Sequence, residues 1–216
     1  MKLIFVRHGE PDYKNDALTE KGRIEAELAS RRIRNWKVTQ FYQSPLGRAK
    51  ETASYTLKAM GREAIELPWL KEFYYPTINE VTGHRGVPWD FVASDWTADP
   101  NMFEPEDGFL KFPYIAKIPG IKEGYHDVIT GFDAILEEYG YKREKRYYLN
   151  TKRTFDQDIE STVCEENKPL NAGDPDEPVL VFFCHLGVTS LILSHLVSIP
   201  FECIAHGFYM PPTSMT

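Results

Sequence analysis

The chain has 216 residues, 42% of them hydrophobic and 26% charged, which is the balance of a folded globular protein with room for one large domain. Disorder, collagen and coiled coil are excluded. Against 32 Asp and Glu there are only 25 Lys and Arg, for a formal net charge of −7, so the basic excess that nucleic-acid binding needs is missing.

Leu3–Val6 reads as a fully apolar strand, and Arg7-His8-Gly9-Glu10 follows it directly. Lys2 has only four apolar residues between it and Arg7, which is no signal-peptide core. No apolar run approaches the ~18–20 residues of a membrane span. The expectation is a cytoplasmic protein with no membrane partner. Thr19 to about residue 35 is predicted as a helix, with Thr19 as N-cap and Ile24, Leu28 and Ile33 on one side. Val38–Gln43 is a second strand, followed by Ser44-Pro45-Leu46-Gly47-Arg48 and a helix over Leu46–Met60 whose inward stripe is Ala49, Ala53, Leu57 and Met60. Ala64–Leu67 is a short third strand, closed by Pro68.

Residues 73–122 are rich in aromatics, Pro and Gly and show no clean period, so they form a long irregular insertion. Tyr74, Tyr75, His84, Arg85, Trp89 and Lys111 are its candidates for lid or substrate contacts, most of its aromatics being packing. A helix from Glu123 to about Tyr139 carries Val128, Phe132, Ile135, Leu136 and Tyr139 on one face, and Tyr147–Leu149 is a short strand. Residues 150–178 are an acidic surface excursion. Val179–Cys184 suits a buried parallel strand, and Val188–Val197 a helix. Cys164, Cys184 and Cys203 are widely spaced, which argues against a disulfide framework and a structural zinc site, and Cys184 is expected to pack as a small hydrophobe.

Strands alternating with helices predict an α/β fold, a three-layer sandwich with a mostly parallel central sheet and helices on both faces, in a single domain over residues 1–216. Such a sheet aligns its strand C-termini along one edge, where ligands bind. His8 and His185 each leave a buried strand at that edge. Arg48 stands in the first turn of a helix whose N-terminus faces the same way, where an anion is favoured. Arg7, at the end of a buried strand, is a desolvated cation that costs several kcal/mol unless an anion compensates it. Two guanidinium groups beside two imidazoles describe a pocket for a phosphoryl dianion. One neutral imidazole can attack phosphorus while the other donates to the phosphoryl oxygens. The departing alkoxide then needs a proton, and Glu72, just past the third strand, is the best-placed carboxylic acid, with Glu80 the next candidate.

These residues resemble the histidine phosphatase superfamily, also called phosphoglycerate-mutase-like. Arg7-His8-Gly9-Glu10 is similar to its R-H-G-E signature, Leu18-Thr19-Glu20-Lys21-Gly22 to its L-T-x-x-G helix start, and residues 44–53 to its S-P-L-x-R-A-x-Q-T-A segment. Leu70-Lys71-Glu72 and the late Cys184-His185 complete the order. The resemblance implies a phosphohistidine on His8, phosphoryl binding by Arg7, Arg48 and His185, proton donation by Glu72, and no metal or other cofactor. Asn15 joins the substrate-binding set. Glu25 and Glu51 stand where the family has glutamine, Leu186 where a glycine commonly follows the second histidine, and Met210–Thr216 about where a last sheet strand begins.

The implied activity is hydrolysis of a small-molecule phosphate ester. The stretch Lys71-Glu72-Phe73-Tyr74-Tyr75 lacks the N-E-R-H-Y-G-type segment of cofactor-dependent mutases, which favours a phosphatase. A phosphomutase and a non-catalytic phospho-ligand-binding module are the alternatives. Substrate identity and oligomeric state are not legible.

Overall fold

The N-terminal apolar run and the late one become neighbours in a single sheet. In the computed structural model, which describes residues 1–216 apart from 79–82, 84, 88, 90 and 153–176, four parallel strands form the centre. They are β1 (Lys2–Arg7), β2 (Gln40–Gln43), β3 (Ile65–Glu66) and, from much later in the chain, Val179–Cys184. A hairpin of β4 (Tyr141–Glu144) and β5 (Tyr147–Asn150) lies outside this sheet, so the late strand is β6. The order across the sheet is β1-β6-β2-β3. Helices cover both faces, which is why β1 and β6 read as unbroken apolar runs.

On one face Val6, Phe41, Val181 and Phe183 pack with Ile33 and Ala53 of helices α1 (Glu20–Ile33) and α2 (Gly47–Met60). On the other, Phe5 stacks on Phe182 at 5.1 Å and Phe182 on Tyr42 at 4.9 Å, one aromatic row across three strands. That row meets α3 (Ile121–Glu138) and α4 (Leu186–Val197) in the larger core. A last helix, α5 (Phe201–Gly207), and strand β4 gave no signal in the sequence reading. The β4–β5 hairpin is tied down by Arg143, which donates to the His195 carbonyl at 2.9 Å, and by Tyr148, which donates to Asp133 at 2.5 Å.

Helix α1 starts as expected, with Thr19 Oγ1 accepting the Gly22 N–H at 3.0 Å, but it buries a different face. Ile24 and Leu28 are 61% and 55% exposed, whereas Gly22, Ala26, Ala29, Ser30 and Ile33 are buried. Small residues on that side let α1 approach α2 closely, and this contact outweighs the pull of the two larger aliphatics. The insertion is less irregular than its composition suggests. It contains the short helical turns Ala93–Trp96, Pro100–Phe103, Gly108–Lys111 and Pro113–Ala116, and it buries Trp96, Met102, Phe109, Phe112 and Ile115 in the larger core. Of the acidic excursion, residues 153–176 lie outside the described residues, Cys164 among them. The C-terminal segment runs antiparallel along β1, with Phe5 and Thr216 exchanging hydrogen bonds of 2.8 and 3.0 Å.

The loop after β1 rests on α1 through two glycines. A Cβ at Gly9 would come to 2.6 Å from the Gly22 carbonyl oxygen, and one at Gly22 to 2.9 Å from the Glu10 nitrogen. Both neighbours are backbone and cannot swing aside. Gly22→Ala is therefore expected to cost about 1–3 kcal/mol, the usual range for overpacking, and to lower the urea midpoint. An unchanged midpoint would show that the loop is free to lift off α1.

Candidate active site

The register of the sheet gathers three strand ends. Arg7 pairs with Cys184 and Phe183 with Gln43, so His8 comes opposite His185 on one edge, and Ser44, opposite Cys184, stands one residue short of them. The two imidazole centroids are 5.1 Å apart, tilted by 57°. His8 and His185 are both buried, 2% and 0% exposed.

The His8 Nδ1–H donates to the Gly9 carbonyl at 2.7 Å. A carbonyl can only accept, so the proton sits on Nδ1 and the lone pair on Nε2 is left free. Burial pushes the His8 pKa down to about 4. The Arg48 and Arg7 charges act in the same direction, against the Gly9 hydrogen bond and the Asp16 charge. The ring is thus neutral near pH 7. Gly9 N–H donates to Thr52 Oγ1 at 3.0 Å and Thr52 to the Arg48 carbonyl at 2.8 Å, which fixes the loop to α2.

His185 is held well below the ordinary imidazole range, first by burial and then by Arg48, His8 and Arg7. Its Nε2 lies 2.7 Å from Ser44 Oγ, which also accepts the Leu46 N–H at 3.2 Å. If the hydroxyl donates to Nε2, the ring proton is on Nδ1, and Nδ1 is buried without a protein partner. Two guanidinium nitrogens share that condition, Arg7 Nε and Arg48 Nε. Elsewhere these arginines are anchored. Arg7 donates through Nη1 to the Met210 carbonyl at 2.6 Å, and Arg48 through Nη1 to Asp16 at 2.6 Å. Buried donors left unmatched cost on the order of 1–3 kcal/mol each, and an anion is the kind of partner that all three lack.

Glu72 follows the turn Pro68–Leu70 and reaches α4. Its Oε1 accepts the Phe73 N–H at 2.9 Å and the Val188 N–H at 3.2 Å. Burial raises its pKa, against those two hydrogen bonds and the Arg48 and Arg7 charges. Gly187 makes this approach possible, since a Cβ there would lie 2.8 Å from Glu72 Oε1 and 3.0 Å from Trp89. Glu72 also lines a cavity of about 430 Å³ together with Trp69, Phe73, Tyr75 and Asp127.

The structure therefore brings Arg7, His8, Arg48, Glu72 and His185 into one electrostatic group. It does not bring Asn15 there. That side chain is exposed and donates to Asp12 at 2.7 Å within its own turn, where the nearby carboxylate satisfies it. Its neighbour Asp16, which the sequence did not single out, reaches Arg48 instead. Ser44 was visible only as part of a motif; the register sets it opposite Cys184, and its hydroxyl reaches the next residue, His185. Glu25 and Glu51 accept the Glu10 and Leu18 N–H groups at 2.8 and 2.7 Å, so they brace the loop. Of the insertion candidates, Trp89 lies beside Gly187 while Tyr74 and Arg85 are exposed. Lys111 pairs with Asp107 at 3.4 Å. Glu80 and His84 are outside the described residues. Cys184 is buried, with its pKa pushed up to about 12 by desolvation, as a packing thiol should be. Among the described residues, no three His, Cys, Asp or Glu side chains are grouped to hold a metal, and no helix is long and apolar enough to cross a membrane.

The profile of the histidine phosphatase superfamily (branch 1) matches residues 3–108. A probable phosphoglycerate mutase of Photorhabdus laumondii is 31% identical over 83 residues, which is 34% of this chain and 39% of that protein. A protein of the same description from Serratia proteamaculans is 29% identical over 119 residues, 49% of this chain and 55% of its own. The chain thus spans about two fifths to about half the length of these curated relatives. Among solved structures, the alpha-ribazole phosphatase from Shigella flexneri superposes with a TM-score of 0.56 at 19% identity, covering 100% of this chain and 88% of that one. The phosphoserine phosphatase from Entamoeba histolytica, in complex with 3-phosphoglyceric acid, gives 0.54 at 18% identity, covering 99% and 88%. At these identities the solved structures establish the shared fold, a parallel sheet between helices. Over residues 3–108, which hold His8, Arg48 and Glu72, the chain matches the histidine phosphatase superfamily.

Proposed function

We propose that this protein hydrolyses a small-molecule phosphate monoester through a phosphohistidine on His8. The observation that carries the reading is the trio of buried, unmatched donors, Arg7 Nε, Arg48 Nε and His185 Nδ1, grouped with a neutral imidazole whose Nε2 is free. In the first step the Nε2 lone pair attacks phosphorus and the ester P–O bond breaks. The leaving oxygen takes the Glu72 proton. The phosphorylated ring is cationic, and the Gly9 carbonyl, already hydrogen-bonded at Nδ1, stabilises it. In the second step water attacks phosphorus and gives a proton to Glu72, and the P–N bond breaks. Inorganic phosphate leaves, with His8 neutral and Glu72 protonated again. The guanidinium groups and His185 lower both barriers by holding the equatorial oxygens.

The mutase names of the curated relatives supply a second reading, in which the phosphoryl group passes to another hydroxyl instead of water. Both readings share the first step. Incubation with a labelled phosphate ester is expected to leave acid-labile, base-stable label on the wild type and none on His8→Ala, with inorganic phosphate released. Substantial turnover by His8→Ala would overturn the phosphohistidine. Label without released phosphate, and with a phosphorylated second alcohol, would assign the mutase.

Glu72 is testable through the leaving group. An alkyl alkoxide needs its proton and a nitrophenolate barely does. Glu72→Gln is expected to slow alkyl phosphate hydrolysis by on the order of 10²–10⁴-fold and aryl phosphate hydrolysis far less. Equal losses on both would leave Glu72 with a purely structural part.

The two ionisations also set a pH profile. His8 must be neutral, so kcat/KM should fall on the acid side only as pH drops through about 4. Glu72 must start protonated, so activity on alkyl esters should fall as pH rises through its raised pKa. The optimum for alkyl esters therefore lies between these two ionisations, and the alkaline limb should be missing for nitrophenyl phosphate. A rate still rising above pH 8 on alkyl esters would contradict the assignment.

A further inference from the structure

Asp16 places a carboxylate against one of the two cations that the phosphoryl reading requires. Its Oδ1 accepts Arg48 Nη1–H at 2.6 Å and its Oδ2 accepts the Gly47 N–H at 2.6 Å, at the first residue of α2. The backbone is fixed as tightly as the side chain. Asp16 has φ of +47°, a left-handed conformation that Asp and Asn tolerate, and a Cβ at Gly47 would collide with the Asp16 carbonyl. The side chain is 41% exposed, so the carboxylate faces the solvent side of the guanidinium it binds. Despite burial, which acts the other way, the Gly47 and Arg48 hydrogen bonds hold its carboxyl below the usual range, and it is ionised at neutral pH.

We propose that Asp16 is a specificity-determining residue that selects phosphate esters bearing a cationic or neutral group near the phosphate over esters bearing a carboxylate there. This rests on the reading that the strand-end cluster binds a phosphate monoester. A phosphoryl dianion brings two negative charges to two guanidinium groups, one of which Asp16 already half-neutralises. Arg48 keeps Nε for the phosphoryl oxygens. A further carboxylate on the substrate would meet the Asp16 charge, and on the α1 side the cations Lys21 and Arg23 are already paired, to Glu10 at 2.5 Å and to Glu51 at 2.7 Å. A substrate ammonium in the same place would be attracted. At the separations of neighbouring groups in a partly solvated site, a full charge changes affinity by about tenfold.

The test compares O-phosphoethanolamine with 3-phosphoglycerate on the wild type and on Asp16→Asn, a substitution that keeps the shape and tolerates the left-handed backbone. Released phosphate gives kcat/KM, and calorimetry gives Kd. The wild type is expected to favour the amine, and Asp16→Asn to shift the ratio of kcat/KM about tenfold toward the carboxylate ester. Parallel losses on both, with the ratio unchanged, would show that Asp16 only positions Arg48 and would overturn the proposal. A wild-type preference for 3-phosphoglycerate, or binding of neither compound, would overturn it too. Should the wild type bind these esters and release no phosphate, hydrolysis fails as the function, and the ratio of Kd values still decides the part of Asp16. Should Asp16→Asn fail to fold, rising salt on the wild type takes its place. Discrimination by charge must shrink as screening increases, and a ratio unmoved by salt would refute it.

Discussion

Everything at the strand-end edge depends on the parallel register of β1, β6 and β2. Because Arg7 lies opposite Cys184 and Phe183 opposite Gln43, the backbone alone sets His8 opposite His185 and leaves Ser44 one residue away, within reach of the His185 ring. A slip of one residue would turn the aromatic row of Phe5, Phe182 and Tyr42 to the opposite face and separate the two imidazoles. Core packing and site geometry are therefore specified by the same pairing. Neither can drift without the other.

The second constraint is electrostatic. Burial, reinforced by two arginines, keeps both imidazoles neutral, and the same burial raises the pKa of the Glu72 carboxyl. Environment sorts one histidine and one glutamate into base-like and acid-like partners without any change of residue type. The cost is borne by donors without acceptors, and this is tolerable because β1, β6 and α2 are held rigidly by the layers around them.

Much of this was legible in the sequence. Apolar runs ending in Arg7-His8 and Cys184-His185 gave both the sheet edge and its chemistry, since strand identity and strand end are local properties. The inward face of α1 was not legible. Ile24 and Leu28 outrank alanines on any hydrophobic scale, and only the close contact with α2 reveals why the small residues win. The side-chain pattern of residues 73–122 was likewise opaque, because short helical turns bury aromatics with no period to detect. Asp16 was hidden for a similar reason. It sits in a turn whose composition, Tyr-Lys-Asn-Asp-Ala, reads as solvated, and its significance comes entirely from which residue it faces.

The position of β6 bears on how the molecule is made. The strand nearest the C-terminus lies between two strands from the first fifth of the chain, so β1 and β2 share no hydrogen bonds of their own. Until β6 has been synthesised and inserted, both present open edges to water and to each other. Topologies dominated by such non-local pairing have a high contact order and close slowly, because the loop entropy is lost before the pairing energy is recovered. A nascent chain therefore holds exposed strand edges, prone to aggregation, from the synthesis of β2 until β6 has emerged. The two histidines meet only in that final insertion, so chemical competence and the sealing of the sheet arise in one event.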